Sequence, residues 1–207
     1  MAASVEEAVY KTVQALQKRS VELAEEVLDG EQQIDEDENH IEDECLKMLA
    51  LHQPVASDLR SIIAALKIIT DLERMGDLSE DIAERAIALS KLPKLPELST
   101  QIEHMADLTT SMVRQSLDAF VQQDTRLART VCRLDDEVDH LNKLIIDELI
   151  GIMQQAPSFV AAGLSMFSAV RHLERIADHA TNIAEEVIYQ VEGEIVRHRP
   201  ISRETEE

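Results

Sequence analysis

The sequence predicts an all-α protein built as a tandem pair of three-helix bundles, and three observations carry that prediction. Ala, Leu, Ile and Glu dominate, while Gly and Pro number only five each and Trp is absent, which is the composition of long helices. Apolar residues recur at three- and four-residue steps, as in Val131, Leu134, Val138, Leu141 and Ile145. Finally, the string from Leu72 to Glu84 returns from Leu173 to Glu185, keeping its Leu-Glu-Arg start, its Asp and its Ile-Ala-Glu end. A second likeness, residues 34–40 against 134–140, makes the repeat a whole structural unit and not one recurring helix.

Periodicity, Gly and Pro punctuation and capping residues divide the chain into six helices. In the first copy they are expected over 4–29, 31–52 and 55–90, with Gly30 and Pro54 as the breaks. In the second they are expected over 99–122, 124–150 and 158–192, with Asp124 at the first junction. Residues 149–170 carry no charge and approach the length of a membrane span, but Gln154, Gln155 and Pro157 interrupt them, so they read as helix end, turn and helix start. The segment Lys91-Leu92-Pro93-Lys94-Leu95-Pro96 cannot continue a helix. The expected organisation is therefore a first repeat over 1–92, a linker over 93–98, a second repeat over 99–198 and a polar, flexible tail over 199–207.

Twenty basic against 41 acidic side chains give a formal charge of −21, which repels phosphate backbones and anionic lipid and argues against nucleic acid as a partner. The N-terminal residues include Glu6, Glu7 and Lys11 in place of the apolar run of a signal peptide, so a cytoplasmic protein is expected. Cys45 and Cys132 lack metal-type spacing and read as core thiols.

Residues four apart on a helix are neighbours on one face, roughly 6 Å apart. Glu73, Asp77 and Asp81 form such a row, and Glu174, Asp178 and Asn182 form its counterpart. Asp135 with Asp139, and Asp35 with Asn39, make shorter rows on the fifth and second helices. Helical geometry turns Asp135 and Asp139 about a quarter-turn from the apolar stripe, so they flank the core without entering it. Two antiparallel neighbours can then present four carboxyl groups across a surface groove, and oxygen-only donors suit Mg²⁺, Mn²⁺ or iron. The plainer reading is a solvated acidic face with Arg74, Arg85 and Arg175 as ion-pair partners.

Other motifs are weaker. Glu137 and His140 have the Glu-x-x-His spacing of di-iron bundles, but such bundles need two of these pairs, facing inward. His179 follows Asp178 and is placed to reach the same groove. No glycine-rich phosphate loop, nucleophile elbow or Ser–His–Asp order is present, so nothing supports hydrolase or transferase chemistry.

The strings Gln53-Pro54-Val55-Ala56-Ser57-Asp58-Leu59-Arg60, Asp71 to Asp77, and Leu173 to Tyr189, with Ala119, Phe120 and Asp124 and the closing Glu192-Gly193-Glu194, Arg197 and His198, resemble the PhoU family over essentially residues 4–198. The resemblance implies two three-helix bundles related by an approximate twofold, in a homodimeric regulator that is not an enzyme. It implies an adaptor between a phosphate ABC transporter and a sensor histidine kinase that restrains phosphate-starvation signalling and meets the membrane only through those partners. It also implies multinuclear metal sites, iron or zinc in some members, at positions corresponding to Asp35, Glu73, Asp77, Asp135, Asp139, Glu174 and Asp178. Asn39 stands where a second Asp is expected, and Asn182 where the first copy has Asp81. The alternative class is a carboxylate-bridged di-iron enzyme or metal store with a ferritin-like core, whose metal is enclosed between helices.

Overall fold

The computed structural model describes residues 1–96 and 99–193; the expected tail, the end of the second repeat beyond 193 and linker positions 97 and 98 lie outside the described residues. Six α-helices account for the architecture: α1 (Ala2–Lys18), α2 (Val21–His52), α3 (Ser57–Ser90), α4 (Ser99–Gln122), α5 (Thr125–Gln155) and α6 (Val160–Glu192), with one 3₁₀ turn, Pro157–Phe159, before α6. None of these helices is long and apolar enough to cross a membrane.

The first break falls at Arg19 and Ser20, not at Gly30 as the sequence predicts. Arg19 takes a left-handed conformation, φ 54°, and the Ser20 hydroxyl accepts the Leu23 N–H at 3.3 Å, which caps the new helix. Gly30 stays inside α2, where no neighbour stands within 4 Å of a Cβ, and its cost of about 1 kcal/mol relative to Ala does not end a helix anchored on both sides. The α3 helix starts two residues later than expected, after Ala56 at φ 49°, and α5 runs on to Gln155.

The break between α4 and α5 repeats the first one in detail. Gln123 has φ 53°, Asp124 caps α5 by accepting from Arg126 and Leu127 at 2.9 and 3.1 Å, and Asp124 N–H bonds Ala119 O at 3.0 Å, as Ser20 N–H bonds Ala15 O at 3.1 Å. Every one of these pairs is separated by 104 positions, and so are the buried pairs Val27 and Val131 and Ile34 and Val138. The α3 and α6 helices instead match at 101, Leu72 with Leu173 and Ile82 with Ile183. The α2–α5 correspondence is thus one helical turn away from the one that residues 34–40 and 134–140 suggest.

α3 and α6 form the centre. They run antiparallel: Lys67 meets Glu186, Asp71 meets Asn182 and Asp81 meets His172, positions rising on one helix as they fall on the other. Each carries apolar side chains around most of its circumference because it touches both its own bundle and its counterpart. Buried residues of all six helices join one continuous core, from Val5 and Val9 through Met75, Met112 and Ile145 to Ile176 and Ile188. The Arg19 guanidinium donates to the Leu92 carbonyl and so ties the end of α1 to the start of the linker.

Candidate metal centre

Packing of α2 against α3 sets the first group of carboxylates. Gly76 makes the close approach possible, since a Cβ there would stand 3.2 Å from Cδ1 of Ile34. Beside this contact, donor oxygens of Glu31, Asp35 and Asp77 all lie within 4.8 Å of one another on half-buried side chains. Glu38, Glu73 and Glu80 border them. Burial first, then mutual repulsion, holds Glu31, Glu38, Glu73 and Glu80 above the usual carboxylate range. For Glu73 the repelling charges are Asp77, Glu38 and Asp35, which shows that α2 and α3 face each other across one groove.

The second group lies between α5 and α6 and comprises Asp135, Asp139, Glu174 and Asp178. Burial, followed by Glu174, Asp135 and Asp139, pushes the Asp178 carboxyl up to about 6, although solvent still reaches the side chain. Asp135 is raised by burial and then by Asp139, with Glu174 also contributing. At separations of 104 and 101 the correspondence is complete: Glu31 with Asp135, Asp35 with Asp139, Glu73 with Glu174 and Asp77 with Asp178.

Compensation is thin. Arg74 lies 2.9 Å from Asp77 and 3.4 Å from Glu73, and Arg171 lies 2.9 Å from Glu174. The plainer reading of an acidic face with arginine partners therefore holds in part, but Arg85 pairs with Glu84, outside the groove. Oε2 of Glu174 is buried with no hydrogen-bond partner, since Arg171 reaches only Oε1, whereas the corresponding Oε2 of Glu73 is buried with the Arg74 guanidinium 3.4 Å away as its ion-pair partner. A buried carboxylate oxygen without a donor, as at Glu174, is costly, and the converging oxygens of Glu31, Asp35 and Asp77 have the donor chemistry of a hard divalent cation. The residues fit a metal.

Not every residue of the sequence-derived rows reaches these grooves. Asn39 is exposed, and its amide folds back to donate to the Asp35 carbonyl at 2.8 Å. The amide that stood out as a departure is thus outside the row, whose members on α2 are Glu31 and Asp35. Asp81 and Asn182 do correspond, but both face the α3–α6 junction: Asp81 lies 3.8 Å from Nδ1 of His172, and Asn182 donates to Asp71 at 3.1 Å. His179 joins Asp71 there at 2.8 Å and does not enter the groove as a first neighbour of the acids. Glu137 is exposed and faces His104 at 3.5 Å, so the Glu-x-x-His pair builds no inward site. Glu31, Glu38 and Glu80 are the members that sequence rows missed. Cys45 is buried in α2, and Cys132, beside Asp135, has its thiol pushed up to about 12 by burial, then by Glu185 and Asp135, which leaves it unreactive.

Comparison with known proteins gives one consistent answer. The PhoU domain matches residues 1–86 and again 102–187. The chain is 46% identical to a phosphate-specific transport system accessory protein PhoU homolog of Aquifex aeolicus over 206 residues, covering 100% of this chain and 93% of that protein. It is 41% identical to the homolog so named in Pseudomonas aeruginosa, covering 100% of this chain and 86% of that one. The crystal structure of PhoU from Pseudomonas aeruginosa superposes with a TM-score of 0.91 at 40% identity, over 93% of this chain and 92% of that chain. That of the phosphate transport system regulatory protein PhoU from Streptococcus pneumoniae gives 0.86 at 31%, over 94% and 91%. These relatives are named as accessory and regulatory proteins, not as enzymes. With two copies of the domain and whole-length relatives, the chain belongs to the PhoU domain family.

Proposed function

We propose that this protein regulates phosphate transport as a metal-binding adaptor in the cytoplasm, acting between a phosphate ABC transporter and a sensor histidine kinase and keeping phosphate-starvation signalling off. The observation that carries the transport role is likeness along the full chain to relatives named as accessory proteins of the phosphate-specific transport system. Metal binding rests on the matched acid grooves. Glu31, Asp35, Glu73 and Asp77 would hold cations in the first, and Asp135, Asp139, Glu174 and Asp178 in the second, with iron, zinc, manganese and magnesium as the candidate ions. A bound cation supplies positive charge beyond that of the few basic side chains at the rims, fixing α2 to α3 and α5 to α6. The acids sit in surface grooves and not between four enclosing helices, which favours this role over a ferritin-like metal store or di-iron enzyme. The protein acts as a homodimer and meets the membrane through its protein partners.

Deletion of the gene is expected to switch on phosphate-starvation genes in phosphate-rich medium, and that derepression is expected to need the kinase. A reporter in the single deletion and in the deletion combined with kinase loss checks both points. Normal repression in the single deletion, or derepression that persists without the kinase, contradicts the adaptor role.

A further inference from the structure

The two grooves share four acids position by position and differ in two further oxygen donors and in their cationic partners. Glu38 of the first is matched by Asn142 in the second, 104 positions on, and Glu80 is matched by Thr181, 101 positions on. Glu38 and Glu80 are part of the first groove in fact as well as in register: Glu38 bears on Glu73, and Glu80 on Glu31. Their counterparts are neutral oxygen donors. Asn142 follows Asp135 and Asp139 along α5 at spacings of seven and three, on the same row, is only 3% exposed, and leaves its Oδ1 without a hydrogen-bond partner. Thr181 stands beside Asp135. The first groove thus offers six carboxylates against Arg74, and the second four, together with an amide and a hydroxyl, against Arg171 and Lys143, the latter 4.0 Å from Asp139.

Resting on the metal reading above, we propose that the two grooves are unequal cation sites: the first takes up more divalent charge and holds it more tightly, and the second, completed by Asn142, is the site that loads and empties. Ligand charge count tunes the affinity of oxygen-ligand sites across decades, so two carboxylates against two neutral donors separate the grooves by at least about tenfold in Kd. An amide oxygen still coordinates a hard ion. It does so without adding the charge that holds the ion in place.

The test uses the full chain, stripped with chelator and titrated with Mn²⁺ by calorimetry, with bound ion counted by electron paramagnetic resonance. Two classes of site are expected, the tighter with the larger Mn²⁺ count. Glu31→Ala with Asp35→Ala removes the tighter class, and Asp135→Ala with Asp139→Ala removes the weaker. Glu38→Asn with Glu80→Thr brings the tighter class to the affinity of the weaker. A single class in the unaltered protein overturns the proposal, as does loss of the tight class in the Asp135→Ala, Asp139→Ala variant or its survival in the Glu38→Asn, Glu80→Thr variant. No Mn²⁺ bound by either groove removes the metal reading itself, a result distinct from equal binding by both. Should Glu38→Asn with Glu80→Thr fail to fold by circular dichroism, the two alanine pairs still assign each class to its groove.

Discussion

Divalent cations will stabilise the protein, and they will do so more at pH 7.5 than at pH 5.5. A ligand present at a hundred times its Kd adds about 2.7 kcal/mol per independent site. For a chain of 207 residues that corresponds to a rise in melting temperature of about 5 to 10 °C. The pH dependence follows from Asp178, whose carboxyl sits at about 6 in the folded protein against an ordinary 3.8. Between those values the folded state holds a proton that the unfolded chain has released, so the stability it contributes is present at low pH and is lost as pH rises through about 6. Glu31, Glu38, Glu73, Glu80 and Asp135 are shifted the same way and outnumber the groups that oppose them. Those are Asp37, held low mainly by a hydrogen bond from the N-terminal amine, Glu22, held low by backbone and Ser20 hydrogen bonds, and His172, held low by burial. Metal-free protein is therefore expected to melt at a lower temperature at pH 7.5 than at pH 5.5, and Mn²⁺ to reverse that order. Thermal scans with chelator and with Mn²⁺ at both pH values check it; melting curves that ignore the metal at pH 7.5 would contradict cation binding in both grooves.

Replacing Ile176 by Ala is expected to cost about 4 kcal/mol, within the range for truncating a fully buried Ile without collapse of the surrounding packing. Ile176 is 0% exposed in the middle of α6 and corresponds to Met75, also 0% exposed, in α3. Since both helices belong to a core shared by all six, the loss should lower a single unfolding transition for the whole chain by about 10 °C. Calorimetry distinguishes this from two independent repeats, which would show a first-repeat transition left in place.

The helical fold was legible because hydrophobic period, Pro93 and Pro96 and the repeated Leu-Glu-Arg string all point the same way. What misled was punctuation. Gly30 looks like a helix end, but an exposed glycine costs too little to end a 32-residue helix, whereas Ser20 makes a real cap. The same misreading hid the register. Residues 34–40 resemble 134–140 more closely than they resemble 138–144, and one helical turn of slippage keeps acids aligned with acids, so local likeness could not expose the error. Matching the caps, Ser20 to Asp124, would have given the separation of 104 and with it Glu31 and Glu38. Asp81 and Asn182 correspond to each other, but helix spacing alone does not tell a groove from a helix–helix junction. That distinction comes from the antiparallel packing of α3 on α6, which brings His172 to Asp81 and Asp71 to Asn182.

The most direct test of the central claim is anomalous diffraction from crystals of the full chain soaked in Mn²⁺. Anomalous peaks are expected in both grooves, one among Glu31, Asp35 and Asp77 and one among Asp135, Asp139 and Asp178. Peaks confined to other surface carboxylates, or no peak in either groove at saturating Mn²⁺, would contradict that claim.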